Sequence, residues 1–474
     1  ALKNGSASAF SGWSKELLSS AIAVDRSIAT LLATVCNRIV GSFFDDLTNR
    51  CIKSARFIGL DKANKPDGSP DLRPVCVPDL LYRLCAHMSI ANSTVPIPPW
   101  QLGVGAKNGC ERVVYKIRSA IGRGKCALAI DIANAHNEVS RASIAASLAK
   151  AGSNAGHLIT FFNYAYRDPS DVVAIVPNGD PLLWQMPEAT RQGCPSASTL
   201  FCLPFGEALN GAMEDAPIEE LAAIQDDATA IDVSPGRLLN FLEACTTHLR
   251  LVGLRINFGK CRLLSSGPID AFSSARAASL GVKTADISAN DGDEACEILG
   301  SPFGTPAATT RFVTKIVEQT IRAASYTKFL RPNLAFSILR SCVHSKLRYV
   351  CATTPGVNVA DFDAHIRATF LKIVSSPEVP PHMLQSVCGA GLPNYERLAP
   401  LLLEESLAKC ERLERSGATV APVESASQRY EEILRAENAE LRNAQSTSSK
   451  GNHSTLWMRF SPNASTKMTA SEFV

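Results

Sequence analysis

No stretch of this 474-residue chain reaches the roughly 18 consecutive apolar residues that a membrane-spanning helix needs, and no charged-then-apolar leader opens it. Cysteine is not scarce, at 15, but Cys-x-x-Cys pairs and Cys/His zinc spacings are missing, so the thiols read as reduced groups in the core of an intracellular protein. The 8 His show no metal-site clustering either. There is no repeat period, and low complexity is confined to Gln445–Lys450, which reads as a linker. The chain opens on Ala rather than Met, so we expect residues before it. Net charge is only +3, which by itself is modest for a protein that grips a polyanion. What the chain does have is 46% hydrophobic residues over a length that can bury a large core and divide into two or three lobes.

The most informative segment is Leu221-Ala-Ala-Ile-Gln-Asp-Asp-Ala-Thr-Ala-Ile-Asp-Val233. Two short apolar runs flank a bare Asp226-Asp227 pair, which reads as a hairpin with two carboxylates at its tip. Neighbours within a strand point to opposite faces, so only a turn lets both carboxylates approach one spot. Glu214 to Asp232 carries seven acids and no Lys or Arg, a field suited to a hard divalent cation. The pair Asp45-Asp46 has no second strand after it and serves as an internal decoy.

Upstream, Cys126-Ala-Leu-Ala-Ile-Asp-Ile132 is an apolar run with Asp131 near its end. A carboxylate there is costly unless paired or metal-bound; the alternative is an Asp capping the helix expected from Val139 onward. Arg191-Gln-Gly-Cys-Pro-Ser follows as a turn opening into an apolar helix, Thr199 to Met213. A helix over Arg237 to Val252 should end at Gly253, and Leu254 to Leu264 alternates like a strand. Arg311 to Arg348 holds eight Lys or Arg against Glu318 alone, within two amphipathic helices broken at Pro332. Lys107 to Lys125 holds six against one. Both runs read as nucleic-acid-facing surfaces whose binding falls with salt.

Asp131, the Arg-Gln-Gly-x-Pro block, Ile-Gln-Asp-Asp and Gly253-Leu-Arg-Ile-Asn-x-x-Lys-Cys261 stand in the order and character of a reverse transcriptase palm, which the chain resembles. Ser11 to Leu18, Lys62 to Val75 and Gln101 to Gly105 look like N-terminal and fingers blocks of non-LTR retrotransposon enzymes. Glu297 to Gly304 is similar to a primer grip, and Leu456-Trp-Met458 to a tryptophan motif beyond the polymerase region. The resemblance implies an α+β right-hand polymerase fold. Its parts would be an N-terminal helical extension and fingers over 1–125, a palm with an antiparallel sheet over 126–305, a helical thumb over 306–420, and a C-terminal helix and tail over 421–474.

The activity so implied is RNA-directed DNA synthesis on an RNA template and DNA primer, with dNTPs and two Mg²⁺ ions, or Mn²⁺ in their place. Asp131 would bridge both metals, Asp226 share one, Asp227 serve as an accessory ligand, and Ile132 offer its backbone carbonyl. Lys62 or Lys65, with Arg73, would hold the triphosphate. Gln192 and Gly193 would lie against the template base and nucleotide. Lys260 would protonate the leaving pyrophosphate, or else be a solvent-facing strand lysine. Such a protein would have no membrane partner, would work inside the cell in the nucleus, and would belong to a longer polyprotein.

Three positions depart from the pattern. His136 stands where an aromatic ring usually excludes a ribose 2′-hydroxyl, Cys194 where a carboxylate is usual, and Gln225 where an aromatic or small residue precedes the Asp pair. They keep two alternatives in view: a catalytically degenerate reverse transcriptase-like protein that binds nucleic acid, and an RNA-dependent RNA polymerase. Three intact carboxylates weigh against the first. The second usually has another Asp at position 136 and Gly at 225.

Overall fold

The structure, a computed structural model, describes residues 9–61, 72–176, 179–287, 295–379, 381–386, 390–416 and 423–445. Lys62, Lys65 and the Leu456-Trp-Met458 motif lie outside the described residues, as does the Ser/Thr-rich stretch from 446 to 450. The chain forms two compact units, residues 1–106, 125–264 and 269–284 in one, and 107–124, 265–268 and 285–474 in the other. Residues 107–124, which the sequence reading groups with the first lobe, thus cluster with the second unit.

The first unit holds two sheets. Strands β1 (Ala55–Asp61), β2 (Leu72–Pro78), β4 (Ser170–Ala174) and β5 (Leu182–Met186) form a sheet ordered β2-β1-β4-β5. In the second, β3 (Cys126–Ile130) is central, and the order is β6 (Glu220–Ile224), β7 (Asp227–Asp232), β3, β8 (Arg262–Ser265), β9 (Lys283–Asp286). The apolar run of β3 suits that place, because antiparallel partners β7 and β8 cover both its edges and four of its five residues are buried. Helix Pro235–Leu251 packs on this sheet through Leu238, Phe241, Leu242, Cys245 and Leu249, all 0% exposed. Its start follows from sequence: Pro235 opens it and the Ser234 hydroxyl accepts from the Arg237 amide. Val252 caps its end and Gly253 follows at φ +82°, where a left-handed turn favours glycine.

One expectation fails here. Leu254 to Leu264 is not a continuous strand. Asn257 and Lys260 are joined by a turn bond, Phe258–Lys260 is a 3₁₀ turn, and only β8 from Arg262 is extended in the sheet. Lys260 is therefore on a turn, which rules out its reading as a strand lysine.

In the second unit, helix Pro306–Ser325 buries Val313, Val317, Thr320 and Ala324 at helical spacing. Val313, Val317 and Ala324 pack with Leu339, Leu347, Phe362, Ile366, Tyr395 and Leu402 in a separate core. Strands β10 (Cys296–Ile298) and β11 (Ser301–Phe303) form a hairpin there, whose loop residues Leu299 and Gly300 both have positive φ, as a type I′ turn demands. The basic run 107–125 is largely spent on structure, contrary to the surface expected of it. Arg112 and Lys116 pair with Glu414, Lys125 pairs with Glu219, and Arg118 donates to the Thr353 and Pro302 carbonyls. Burial pushes the Arg118 guanidinium down to about 10.

Candidate active site

The hairpin of β6 and β7 pairs Ile224 with Asp227, leaving Gln225 and Asp226 as a two-residue loop. Gln225 takes φ +55°, the positive value such loops require at one or both positions. That conformation is unfavourable for a non-glycine residue, and Gln101 holds it in place. The Gln101 side chain, 3% exposed, accepts from the Gln225 amide (2.8 Å) and the Gly103 amide (3.0 Å), and donates to the Gln225 carbonyl (2.9 Å). Gly103 is required for this fit, since a Cβ there would lie 2.5 Å from the Gln225 nitrogen.

Asp131, one residue beyond β3, is fixed from behind: its carbonyl accepts from the Asn257 amide, and Ala133 donates to the Arg255 carbonyl. These two bonds frame an antiparallel bridge between Ile132 and Ile256 and leave the Ile132 carbonyl outside both. The helices that follow start at Asn134 and Ser140, and the Ser140 hydroxyl caps the second, so Asp131 is not a helix cap. The decoy resolves the other way. Asp45 caps helix Asp46–Lys53, accepting from the Thr48 amide at 2.9 Å and the Thr48 hydroxyl at 2.6 Å.

Asp131, Asp226 and Asp227 line one cleft of about 980 Å³, together with Arg73, His136, Gln192, Gly193 and Lys260. Ile132 lines it too. Of the other acids between Glu214 and Asp232, three are occupied elsewhere: Asp215 with His248, Glu219 with Lys125, and Asp232 with Arg237. Glu138 also reaches the cleft but is held by both nitrogens of a fork from Arg255. The three aspartates are crowded. Asp227 is pushed up to about 6, first by partial desolvation and then by the charges of Asp226 and Asp131, with Arg73 opposing. Among the described residues no group of three or more His, Cys, Asp or Glu is placed where it could hold a metal ion by itself. Mutually repelling carboxylates beside a bare backbone carbonyl are nevertheless the donor set a hard cation takes, as oxygen ligands whose repulsion it relieves.

The turn carrying Gln192 and Gly193 lies against β2, where the Cys76 amide donates to the Gln192 carbonyl at 2.7 Å. Gly193 takes φ +106°, and a Cβ on it would collide with the Cys76 carbonyl, so no other residue fits. Arg191 before it is 1% exposed, its guanidinium stacked on Tyr82 (4.5 Å) and Tyr166 (5.8 Å) and donating to the Lys53 carbonyl. Its Nε and Nη2 find no partner, which makes this guanidinium a support of the turn rather than a ligand-facing group.

His136 is divided between core and cleft. Its ring packs 4.6 Å from that of Phe201, and its Nε2 meets the Gln225 Oε1 at 3.0 Å. Two of the three departures from the family pattern are therefore in contact with each other. Gln101 and the Gln225 side chain are the residues that sequence reasoning did not assign a role; the glycine two places after Gln101 was the available signal.

Residues 63–303, just over half of the chain, match the family model described as reverse transcriptase (RNA-dependent DNA polymerase). The chain belongs to the reverse transcriptase family. Its fold is the right-hand polymerase fold, with the β6-β7-β3-β8-β9 sheet as the palm. Among solved structures, that of apo telomerase from Candida tropicalis truncated from C-terminal domain is similar at 10% identity and a TM-score of 0.34. That match covers 46% of this chain and 51% of the telomerase chain, so it spans about half the length of that relative. No curated protein matches the sequence.

Proposed function

We propose that this reverse transcriptase domain is an active RNA-directed DNA polymerase, extending a DNA primer on an RNA template with dNTPs. The supporting observation is that Asp131 and the Asp226-Asp227 hairpin tip, distant in sequence, line one open cleft in a chain of this family. Asp131, Asp226, Asp227 and the Ile132 carbonyl are the groups that would hold two Mg²⁺ ions, with Mn²⁺ as the alternative. Bound there, the ions supply charge neutralisation at the α-phosphate and a lowered pKa for the primer 3′-hydroxyl.

The chain's own residues have separate tasks. Arg73 binds the triphosphate by charge, with Lys62 or Lys65 as its partner. Gln192 and Gly193 form a flat wall against the template base and incoming nucleotide, because the turn has no Cβ at Gly193. The primer 3′-hydroxyl gives up its proton to solvent and its oxygen bonds to the α-phosphorus, as the bond from that phosphorus to the α–β bridging oxygen breaks and the oxygen leaves with pyrophosphate. Lys260 donates a proton to the departing pyrophosphate. His136, packed at a tilt against Phe201, faces the sugar, and its ring is smaller than the usual aromatic gate.

The finer assignment is a non-LTR retroelement, carried by the order of the blocks at 11–18, 62–75 and 101–105. On that reading the chain is part of a longer polyprotein and works in the nucleus, with fingers over 1–125, palm over 126–305 and thumb over 306–420. A degenerate, non-catalytic protein is the second reading, favoured by the substitutions at His136, Cys194 and Gln225. Primer extension with dNTPs and NTPs in parallel tests both. Metal-dependent deoxynucleotide addition supports the polymerase; nucleic-acid binding without extension supports the second reading.

A further inference from the structure

Backbone and side chain of Gln225 are held by different partners. Gln101 takes its amide and its carbonyl, so the left-handed turn stands without help from the Gln225 side chain. That side chain lines the cleft and reaches His136, with Gln225 Oε1 3.0 Å from His136 Nε2. His136 is fixed in two further ways. The Thr190 amide and hydroxyl both donate to its carbonyl, at 3.2 and 3.4 Å, and the Phe201 ring centre lies 4.6 Å from that of the imidazole. Neither contact decides which ring nitrogen carries the proton. The Gln225 oxygen does, because only a protonated Nε2 can donate to it. The other nitrogen, Nδ1, is buried and has no partner. Turning the amide over would put its NH₂ against Nε2 and force the proton onto Nδ1, leaving a buried N–H with no acceptor among the described residues. Both observations therefore select one tautomer, protonated at Nε2.

We infer that Gln225 is a positioning residue for the sugar side of the cleft: it locks His136 in that tautomer and leaves neither ring nitrogen available to the nucleotide. The sugar then meets only the carbon edge of the ring. A small polar ring so held works as an apolar gate, which disfavours a 2′-hydroxyl by withholding a hydrogen-bond partner as well as by bulk. The substrate class it favours is the deoxynucleoside triphosphate. Freed from Gln225, the imidazole could turn and offer Nε2 to a ribose hydroxyl. The sugar role rests on the polymerase reading above, whereas the hold of Gln225 on His136 is measured without nucleotide or primer.

Two measurements on the full chain test it. In protein carrying ¹⁵N-labelled histidine, long-range ¹H–¹⁵N correlation in mildly alkaline buffer should show His136 as a single tautomer protonated at Nε2. Its signal is identified by its loss in His136→Phe. Gln225→Met keeps the length of the side chain without an oxygen, and should convert that signal to the averaged shifts of a ring exchanging between tautomers. Primer extension then compares kcat/KM for dGTP and GTP. Gln225→Met should lower the preference for dGTP by about 5-fold, the weight of one ordinary hydrogen bond. In the His136→Phe background the same change should move the ratio by less than about 2-fold, because the partner is gone. A ratio taken within one protein cancels any general loss of activity. A wild-type His136 protonated at Nδ1 or averaged between tautomers overturns the inference, and so does a signal unchanged by Gln225→Met. An equal fall in both backgrounds overturns it too, making Gln225 a direct contact of the nucleotide, as does no fall in either. If the wild type extends no primer, the polymerase reading fails by itself, and the tautomer measurement still upholds or overturns the locking of His136.

Discussion

Gln101 should control the hairpin that carries Asp226 and Asp227 without touching substrate. Its side chain makes three hydrogen bonds to backbone groups around Gln225, and it is almost fully buried. Replacement by Met keeps most of the volume and removes all three. At about 1 kcal/mol net each, the loss is about 3 kcal/mol, and more if the freed amides find no water. In a domain of 150–250 residues that corresponds to a melting temperature lower by roughly 6–12 °C. The cost falls on the one loop that needs a positive φ at Gln225, so Asp226 should lose its fixed position before the fold as a whole is lost. We therefore expect Gln101→Met to depress kcat for primer extension at temperatures where circular dichroism still shows a folded protein, with KM for the nucleotide little changed. Gln101→Ala should be worse by the added cavity. The assay is thermal melting together with steady-state extension. A Met variant within about 0.5 kcal/mol of wild type and with unaltered kcat would refute the clamp.

Other outcomes follow from the same geometry. Asp227 holds its proton in the folded state up to about pH 6, whereas an unfolded Asp releases it near 4, so without metal its contribution lowers stability as pH rises through that window. The half-buried Asp363 shifts the same way, so the comparison needed is Asp227→Asn against wild type in EDTA at pH 5 and 7; the wild-type loss between them should shrink in the variant, and adding Mn²⁺ should stabilise only the wild type at pH 7. Gly193→Ala forces a Cβ onto the Cys76 carbonyl and should cost upward of about 2 kcal/mol, read by urea unfolding. His136→Phe should raise the preference for dGTP over GTP by about 10-fold or more in kcat/KM, whereas ratios that agree within about threefold would show that His136 does not gate the sugar.

Much of the palm was legible because local signals agree with the fold. The apolar run before Asp131, the turn-flanked Asp pair and the Pro235/Gly253 bounds each describe an element that local chemistry alone specifies. The failures have common physical causes. Leu254 to Leu264 alternates in hydropathy, but a turn at Asn257 to Lys260 interrupts it, and alternation carries no record of such a turn. The cations of 107–125 looked like a polyanion surface, yet their partners, Glu414, Glu219 and the Thr353 carbonyl, lie far away in sequence. The Gln101 clamp is invisible for the same reason: it joins residues more than a hundred positions apart. The contact between His136 and Gln225 turns two separate oddities of sequence into one local arrangement.

The central claim is that Asp131, Asp226 and Asp227 form a working metal-dependent polymerase site while the look-alike pair at Asp45 is a helix cap. Primer extension on an RNA template in Mg²⁺, comparing wild type, Asp226→Asn and Asp45→Asn at matched template affinity, tests it most directly. Asparagine caps a helix about as well as aspartate, so Asp45→Asn should extend near the wild-type rate. Asp226→Asn should bind primer and template yet extend nothing measurable. Extension by Asp226→Asn equal to wild type would contradict the account.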